Sequence, residues 1–390
     1  MEKIKIKINN NDNLVTIAYV FNVGSYNETK DTLGIAHFVE HLVFRGTTTR
    51  SSEEINRYIE SLGGHLNAYT TYERTKFFCT IPANYWKEGL ELLNDICFYN
   101  TIPEDTFDLE KNIVINELRT FEDDPQEVCD TNLMKTVFHN AFNRQSVGGT
   151  PKTVEKITRQ QVIDYIDTNF ISDNLEIIFT GKGNEQEIEN YIKEILPETN
   201  NKSKKLDNFK FDIKDFYIED TKAEIQQSQL EWAIIGPARD SEDYMIFDLI
   251  TTYLGGNSSS ILYNEIREKR GLVYEVATRI LDFNNYSLLI GYASLLEKDI
   301  DKSIELIEKY TNNINITEKE LEAYKNYIES RIYMDAETTF DRNEYFTYHK
   351  ESIEERVKKL KSITLDDIKE VANKYFNNIK IVYSVVKPKN

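Results

Sequence analysis

The 390-residue sequence predicts an α+β protein of two homologous domains, each a mostly antiparallel sheet covered on one face by long helices. Three observations lead to this fold class. Short alternating apolar runs typical of strands are interspersed with long amphipathic helical patterns. Similar segments recur in the two halves at nearly one spacing. The length is greater than one hydrophobic core usually serves, so two domains are expected.

The internal repeat rests on two pairs of segments. Ile157 opens a helical pattern that leads into an apolar strand at 175–179, and Ile363 opens a similar helix before a strand at 379–385. A helix that ends at Gly64 has a counterpart that ends at Gly271, at almost the same offset. Two similarities at nearly one offset indicate a duplicated unit.

A polar stretch without periodicity separates the two halves. It covers residues 198–210 and is the predicted linker between a first domain, 1–197, and a second domain, 211–390.

Periodicity also predicts the individual elements. The first eight residues alternate polar and apolar and predict an amphipathic strand rather than a signal peptide. The other predicted strands are 13–21, 65–71, 74–81, 174–180, 226–235, 272–281 and 286–294. The predicted helices are 30–45, 51–62, 83–99, 103–122, 125–138, 158–169, 240–254, 258–270, 300–313, 317–335, 340–360 and 364–376.

Composition excludes several classes of function. A net charge of -19 without a basic patch argues against nucleic-acid binding, which requires neutralisation of phosphates. This acidity is explained more simply by solubility than by an acidic chamber for cationic peptides. No run of about 18 apolar residues is present, so no membrane association is expected. The three cysteines lie within apolar patterns, which favours a reducing, cytoplasmic location.

The sequence His-Phe-Val-Glu-His at 37–41 is the inverted zinc-protease motif H-x-x-E-H. On a helix, His37 and His41 lie one turn apart on one face, so both imidazoles reach one Zn²⁺ ion. Glu40 is placed to take a proton from a metal-activated water. The alternative, two surface histidines on an amphipathic helix, is much less favoured because the chain has only 5 histidines.

A catalytic zinc usually has three protein ligands, so a third is required. The predicted helix 103–122 carries Glu110 and Glu117 two turns apart, on one face at the edge of its apolar stripe. From the residues alone, a solvated charged face remains the more ordinary explanation for these carboxylates.

The segments 34–47 and 62–73 resemble the pitrilysin family of zinc peptidases, which includes insulin-degrading enzyme and the mitochondrial processing peptidases. That family carries a ligand glutamate about 75 residues after the motif, and Val114-Ile-Asn-Glu117-Leu matches its context. The resemblance implies that His37, His41 and Glu117 are the zinc ligands and that Glu40 is the general base. It also implies that Glu110 does not bind the metal itself but supports the ligands through a hydrogen bond or its charge.

The resemblance continues in the second half, where 254–274 is similar to the family's glycine-rich turn, helix and R-E-x-x-G-L-x-Y segment. It implies that Arg267 and Tyr274 contact the substrate. The residues alone leave a helix-terminal arginine and a core tyrosine equally acceptable.

Family members add substrate as an extra strand at a sheet edge, which corresponds here to residues 65–71, with Asn67 and Ala68 as the best-matched positions. Main-chain pairing of this kind binds extended or unstructured peptides. The chain corresponds to one half of the family's chamber, so a dimer is implied, either a homodimer or a heterodimer with a paralogous subunit.

These observations predict a cytoplasmic zinc metalloendopeptidase. Both general peptide turnover and maturation of one precursor, such as removal of a leader peptide, are compatible with the sequence. The main alternative is a non-catalytic or partner subunit of a heterodimeric peptidase of the same family, against which the intact Glu40 argues. A metal-binding module without turnover has no further support.

Overall fold

The computed structural model describes residues 3–141, 144–197, 211 and 213–389. The chain divides into two compact units, each built from segments that are not continuous in sequence. Unit 1 comprises residues 1–120, 146–207 and 333–351, and unit 2 comprises 121–145, 208–332 and 352–390.

Unit 1 contains a five-stranded sheet, here called sheet 1, in the order β1-β5-β2-β4-β3. Its strands are β1 (Ile4–Ile8), β2 (Leu14–Phe21), β3 (His65–Thr70), β4 (Thr75–Pro82) and β5 (Leu175–Gly181). The β1–β5 pair is parallel, and the pairs β2–β5, β2–β4 and β3–β4 are antiparallel. Strand β3 therefore forms one outer edge of sheet 1.

The helices of the first half are α1 (Ile35–Leu42), α2 (Ser52–Ser61), α3 (Trp86–Phe98), α4 (Glu104–Asp123), α5 (Pro125–Val137), α6 (Pro151–Lys156), α7 (Arg159–Asn169) and α8 (Glu185–Ile195). The odd-numbered residues of β2 from Val15 to Phe21 point into one apolar core that these helices share with sheet 1, apart from α5, which belongs to unit 2. This alternation places the even-numbered residues of β2 on the opposite face.

Unit 2 repeats this topology in sheet 2, with the order β6-β10-β7-β9-β8 and one parallel pair, β10 with β6. Its strands are β6 (Tyr217–Lys222), β7 (Ser228–Gly236), β8 (Val273–Asp282), β9 (Ser287–Leu295) and β10 (Val382–Pro388). The remaining helices are α9 (Tyr244–Gly255), α10 (Ile300–Thr311), α11 (Glu318–Met334), α12 (Thr339–Tyr348), α13 (Ile353–Ser362) and α14 (Leu365–Tyr375). The predicted duplicated α+β fold is confirmed by this shared strand order and by comparison with solved structures, given below.

The second face of each sheet carries a helix that is distant in sequence. Helix α12 packs on sheet 1 and belongs to unit 1, whereas α5 packs on sheet 2 and belongs to unit 2. The predicted domains, 1–197 and 211–390, are each continuous in sequence. They therefore place α12 and α5 in the domain opposite to the unit in which each helix is found. The predicted linker, 198–210, lies outside the described residues.

Several predicted helices differ from those observed. The predicted helix 30–45 is reduced to α1, Ile35–Leu42, followed by a 3-10 turn at Val43–Arg45. The prediction of one helix over 340–360 is wrong, because α12 ends at Tyr348 and Ser352 starts α13 with a capping box to Glu355. The predicted helix 258–270 is shorter and includes a π-helical segment, Tyr263–Glu268. Among the described residues, no helix has the length and apolar character needed to cross a bilayer.

The contact between α12 and sheet 1 is polar and buried. Asn343 donates to the carbonyl oxygens of Thr16 and Ile178, at 3.1 and 2.9 Å. The Lys76 ammonium on β4 is fully buried and donates to Glu344 Oε1 at 2.6 Å. These bonds satisfy groups that would otherwise be costly to bury. Helix α12 thus has a position fixed by specific partners.

Lys76 provides a test of this contact. Burial lowers the pKa of Lys76 from 10.5 to about 8, although Glu344 opposes the shift. Between pH 8 and 10 the unfolded chain therefore binds more protons than the folded chain, and the contribution of Lys76 to stability increases with pH. We expect the free energy of unfolding of the native protein to rise by about 2 kcal/mol relative to Lys76→Met over this range. Denaturant titrations at the two pH values measure it; parallel pH dependence of both proteins would contradict the assignment.

Candidate metal centre

Helix α1 carries the two motif histidines on the face opposite its apolar residues. Ile35, Phe38 and Leu42 are buried in the core of unit 1. His37 and His41 follow the helical spacing on the other side, with ring centroids 4.8 Å apart. The amphipathic pattern of this helix therefore sets the direction of both imidazoles.

The start of α1 is held by a residue six positions before its N-cap, Gly34. Glu28 is buried and accepts hydrogen bonds from the backbone N–H groups of Gly34 and Ala36, at 2.9 and 3.0 Å. These N–H groups have no partner within the helix, so the two Glu28 oxygens satisfy them. Burial raises the pKa of Glu28 to about 8, and the two hydrogen bonds oppose this rise.

Gly34 is required by the same helix start. Its φ of 91° lies in the left-handed region that favours glycine. A Cβ at this position would lie 2.3 Å from the carbonyl oxygen of Gly148. The loop at Gly148 therefore packs directly against the first turn of the metal-site helix.

Helix α4 provides the two carboxylates from its partly buried side. Phe107, Val114 and Leu118 fix its apolar face in the core of unit 1. Glu110 is buried, and the side chain of Glu117 is about one-third exposed. The two-turn spacing places both on the side that faces α1.

His37, His41 and Glu117 converge. One ligand atom from each lies within 4.8 Å of the other two. The shortest separations are 3.8 Å from His37 Nε2 to Glu117 Oε1 and 3.4 Å from His41 Nε2 to Glu117 Oε2. In a tetrahedral site with bonds of about 2 Å, ligand atoms are roughly 3.3 Å apart. Two imidazole nitrogens and one carboxylate in this arrangement fit a catalytic zinc with an open fourth position.

Glu110 lies behind His41. Its Oε1 atom is 2.9 Å from His41 Nδ1, and its other oxygen forms an ion pair with Arg45. A carboxylate in this position fixes the His41 tautomer, with the proton on Nδ1 and the free electron pair on Nε2. The geometry is that expected for a residue that supports a metal ligand.

Burial is the largest single influence on the pKa values of His37, His41 and Glu40. Burial, together with the nearby His41, lowers the pKa of His37 to about 4, so this imidazole is neutral at pH 7. Burial also lowers the pKa of His41, but the bond to Glu110 and the carboxylates of Glu40 and Glu117 outweigh it, and the pKa rises overall. Burial raises the pKa of Glu40, against the opposing effect of a hydrogen bond from Thr70.

Glu40 lies close enough to His41 and Glu117 to interact with both electrostatically. Its Oε2 atom accepts a hydrogen bond from Thr70 Oγ1 at 2.6 Å. Thr70 is the last residue of the edge strand β3. The candidate base is thereby linked to the edge of sheet 1.

Asn67 and Ala68 lie in the middle of β3, which pairs with β4 alone among the strands that the structure describes. The Asn67 side-chain oxygen accepts a hydrogen bond from the N–H of Ala68 at 2.9 Å. Ala68 packs against the core, on the same strand face as Thr70. Their predicted role in binding substrate stays a prediction.

Arg267 and Tyr274 belong to unit 2. Arg267 lies in the π-helical segment, with its guanidinium 4.7 Å from the ring centroid of Tyr263. Tyr274 is 71% exposed, so it is not the core tyrosine that the residues alone allowed. The substrate contacts implied for this pair stay predictions.

Three residues that contact the candidate site were not predicted from the sequence. Arg45 follows His41 by four positions, so helical spacing could have indicated it. Thr70 lies inside a segment that carried the family resemblance. Glu28 gave no local signal, because it precedes the helix by a loop whose path a sequence does not show.

A duplicated α+β scaffold with an inverted histidine motif and a distant glutamate defines the class of inverted-motif zinc peptidases. Residues 4–150 match the family described as Insulinase (Peptidase family M16), and residues 156–328 match the one described as Peptidase M16 inactive domain. The chain therefore belongs to peptidase family M16, which confirms the resemblance, and the family relationship implies zinc.

Named relatives agree with this assignment. The chain is 26% identical over 388 residues to YmxG of Bacillus subtilis, named an uncharacterized zinc protease, covering 96% of this chain and 93% of that protein. It is 24% identical to a probable mitochondrial-processing peptidase subunit beta of Arabidopsis thaliana, covering 96% and 74%. The crystal structure of a protease from Helicobacter pylori superimposes with a TM-score of 0.89 at 19% identity, covering 99% of this chain and 97% of that one.

Glu28 provides a test of how the site is positioned. We expect Glu28→Ala to weaken zinc binding by roughly 10-fold, because the start of α1 loses its anchor. The measurement is competition with a chelator of known affinity. Glu54→Ala is the matched control: Glu54 caps α2 by accepting from Ser51 N–H at 2.8 Å, and α2 carries no metal ligand. Equal loss of zinc affinity in both variants would show only a general effect on stability.

Proposed function

We propose that this chain is a zinc-dependent endopeptidase that hydrolyses extended or unstructured peptides. The observation that carries the proposal is that Glu40 lies near His41 and Glu117, two of the three convergent candidate ligands. A metal site that served structure alone would need no carboxylate in this position. The names of the relatives support proteolysis in the family.

When bound, zinc supplies a Lewis acid that polarises the scissile carbonyl and lowers the pKa of water. Glu40 accepts a proton from the attacking water as the water oxygen forms a bond to the carbonyl carbon. Glu40 then gives this proton to the amide nitrogen as the C–N bond breaks. Glu110 and Arg45 keep His41 in the required tautomer throughout.

The free edge of β3 supports a preference for extended peptides. An added strand pairs through its main chain, and a folded substrate cannot offer such a strand. Asn67 and Ala68 are the positions we assign to this pairing, and the resemblance supports Arg267 and Tyr274 as further contacts with substrate. The name of the Arabidopsis relative supports maturation of a precursor as one version of this activity, beside general peptide turnover.

Replacing the general base separates catalysis from metal binding. We expect native protein and Glu40→Gln each to hold about one zinc per chain, with only the native protein cleaving unstructured peptides. The expected loss of kcat is roughly 100- to 10,000-fold, because an amide cannot accept the water proton. Mass spectrometry of the peptides and elemental analysis of zinc measure the two properties.

Two further variants complete this experiment. Glu60→Gln changes an exposed glutamate of α2 and should leave cleavage unaffected. Glu117→Ala should lose zinc and activity together. Bound zinc without cleavage by the native protein, even with paralogous chains added, would favour the alternative of a non-catalytic partner subunit. Undiminished zinc in Glu117→Ala would contradict the third ligand.

The resemblance also supports a dimer, because the chain corresponds to one half of the family's chamber. We expect light scattering of the active native protein to give the mass of two chains. A second copy gives a homodimer, and a requirement for an added paralogue indicates a heterodimer. Full activity in a monomer would exclude both.

A further inference from the structure

The contact between Thr70 and Glu40 has a consequence for catalysis. At 2.6 Å, the Thr70 Oγ1–Glu40 Oε2 separation is that of a strong hydrogen bond from a hydroxyl to a carboxylate. Within the described part of the chain, the Glu40 carboxylate has no other hydrogen-bond donor. Oε2 of Glu40 is therefore held by Thr70 on β3, whereas Oε1 has no hydrogen-bond donor among the described residues.

Thr70 itself is fixed by its neighbours. It pairs with Thr75 at the end of the β3–β4 hairpin, and the turn is closed by the Thr71 N–H donating to the Arg74 carbonyl at 2.7 Å. The strand is thus tightly defined where it meets the base.

The opposite face of β3 is anchored as well. Tyr69 Oη donates to Glu344 Oε2 at 2.9 Å and lies 3.2 Å from the hydroxyl of Tyr348. Glu344 also accepts from the buried Lys76 on the adjacent strand. Because Tyr69 and Thr70 point to opposite faces, helix α12 and helix α1 hold consecutive residues of the same strand.

We propose that Thr70 is a positioning residue for the general base, an inference that rests on the proposed function. Its hydroxyl holds Oε2 of Glu40, so that Oε1 is the oxygen presented to the attacking water. Thr70 keeps its own proton and takes no part in proton transfer. Thr70 is the last residue of the edge strand to which substrate is assigned. The same strand therefore positions both the general base and the scissile bond. A misplaced base loses rate even when substrate and metal still bind.

Thr70→Val tests this role, because valine keeps the shape of threonine and removes the hydroxyl. We expect kcat for the unstructured peptides to fall roughly 10- to 100-fold, with KM and zinc affinity within about threefold of the native values. Thr70→Ser restores the hydroxyl and should recover most of the rate. Single-turnover measurements at saturating peptide separate the cleavage step from product release.

Thr80→Val is the matched control in the same sheet. The Thr80 hydroxyl lies 2.8 Å from that of Thr16 and does not contact Glu40, so its loss should leave kcat unchanged. Native kcat in Thr70→Val, or equal impairment of Thr70→Ser, would overturn the inference while leaving the proposed function intact. A fall in zinc affinity matching the fall in kcat would also overturn it, since Thr70 would then act on the metal site as a whole. A native protein that binds zinc but cuts no peptide would overturn both.

Discussion

The separation between α1 and α4 is the constraint on which the candidate metal centre depends, because zinc tolerates little variation in the positions of its ligands. Helix α1 has only 8 residues and is too short to be stable by itself. Its apolar face is buried in the core, its start is held by Glu28, and the turn after its end is tied to α4 through Arg45 and Glu110. Glu28 and Glu110 thus anchor the two ends of the motif helix, which fixes the positions of the histidines between them.

Sheet 1 contributes through its edge rather than its centre. Strand β3 borders the site on the face that carries Ala68 and Thr70, and its other face is bonded to α12 through Tyr69. An unpaired edge strand is ordinarily a liability, because it invites uncontrolled pairing. Here the strand is short and its side chains are fixed on both faces. The edge is therefore held in a defined position, as binding of an extended peptide requires.

Local patterns predicted much of this fold. Alternation identified most strands, and the helical spacing of His37 and His41 predicted the two histidines of the candidate site, which the structure brings together. The prediction of Glu117 as the third ligand required the family resemblance, since nothing in the spacing of the α4 glutamates distinguishes a ligand from a solvated carboxylate. Glu28 and the break between α12 and α13 depend on where the chain travels in three dimensions. Such contacts are set by tertiary packing and leave no periodic signal.

The face of sheet 1 that carries the even-numbered residues of β2 also could not be predicted from local patterns. Thr16, Lys76 and Thr180 alternate with core residues, as solvent-facing side chains do, yet all three are fully buried under α12. Their hydroxyl and ammonium groups have partners on that helix, such as the Thr339 carbonyl, which accepts from Thr180 at 2.6 Å. An apolar helix could cover this face but would leave these groups unpaired, at a cost of several kcal/mol. Hydrogen bonds therefore fix the position of α12 on sheet 1. The same contacts help to hold β3, which ends at Thr70, through Tyr69.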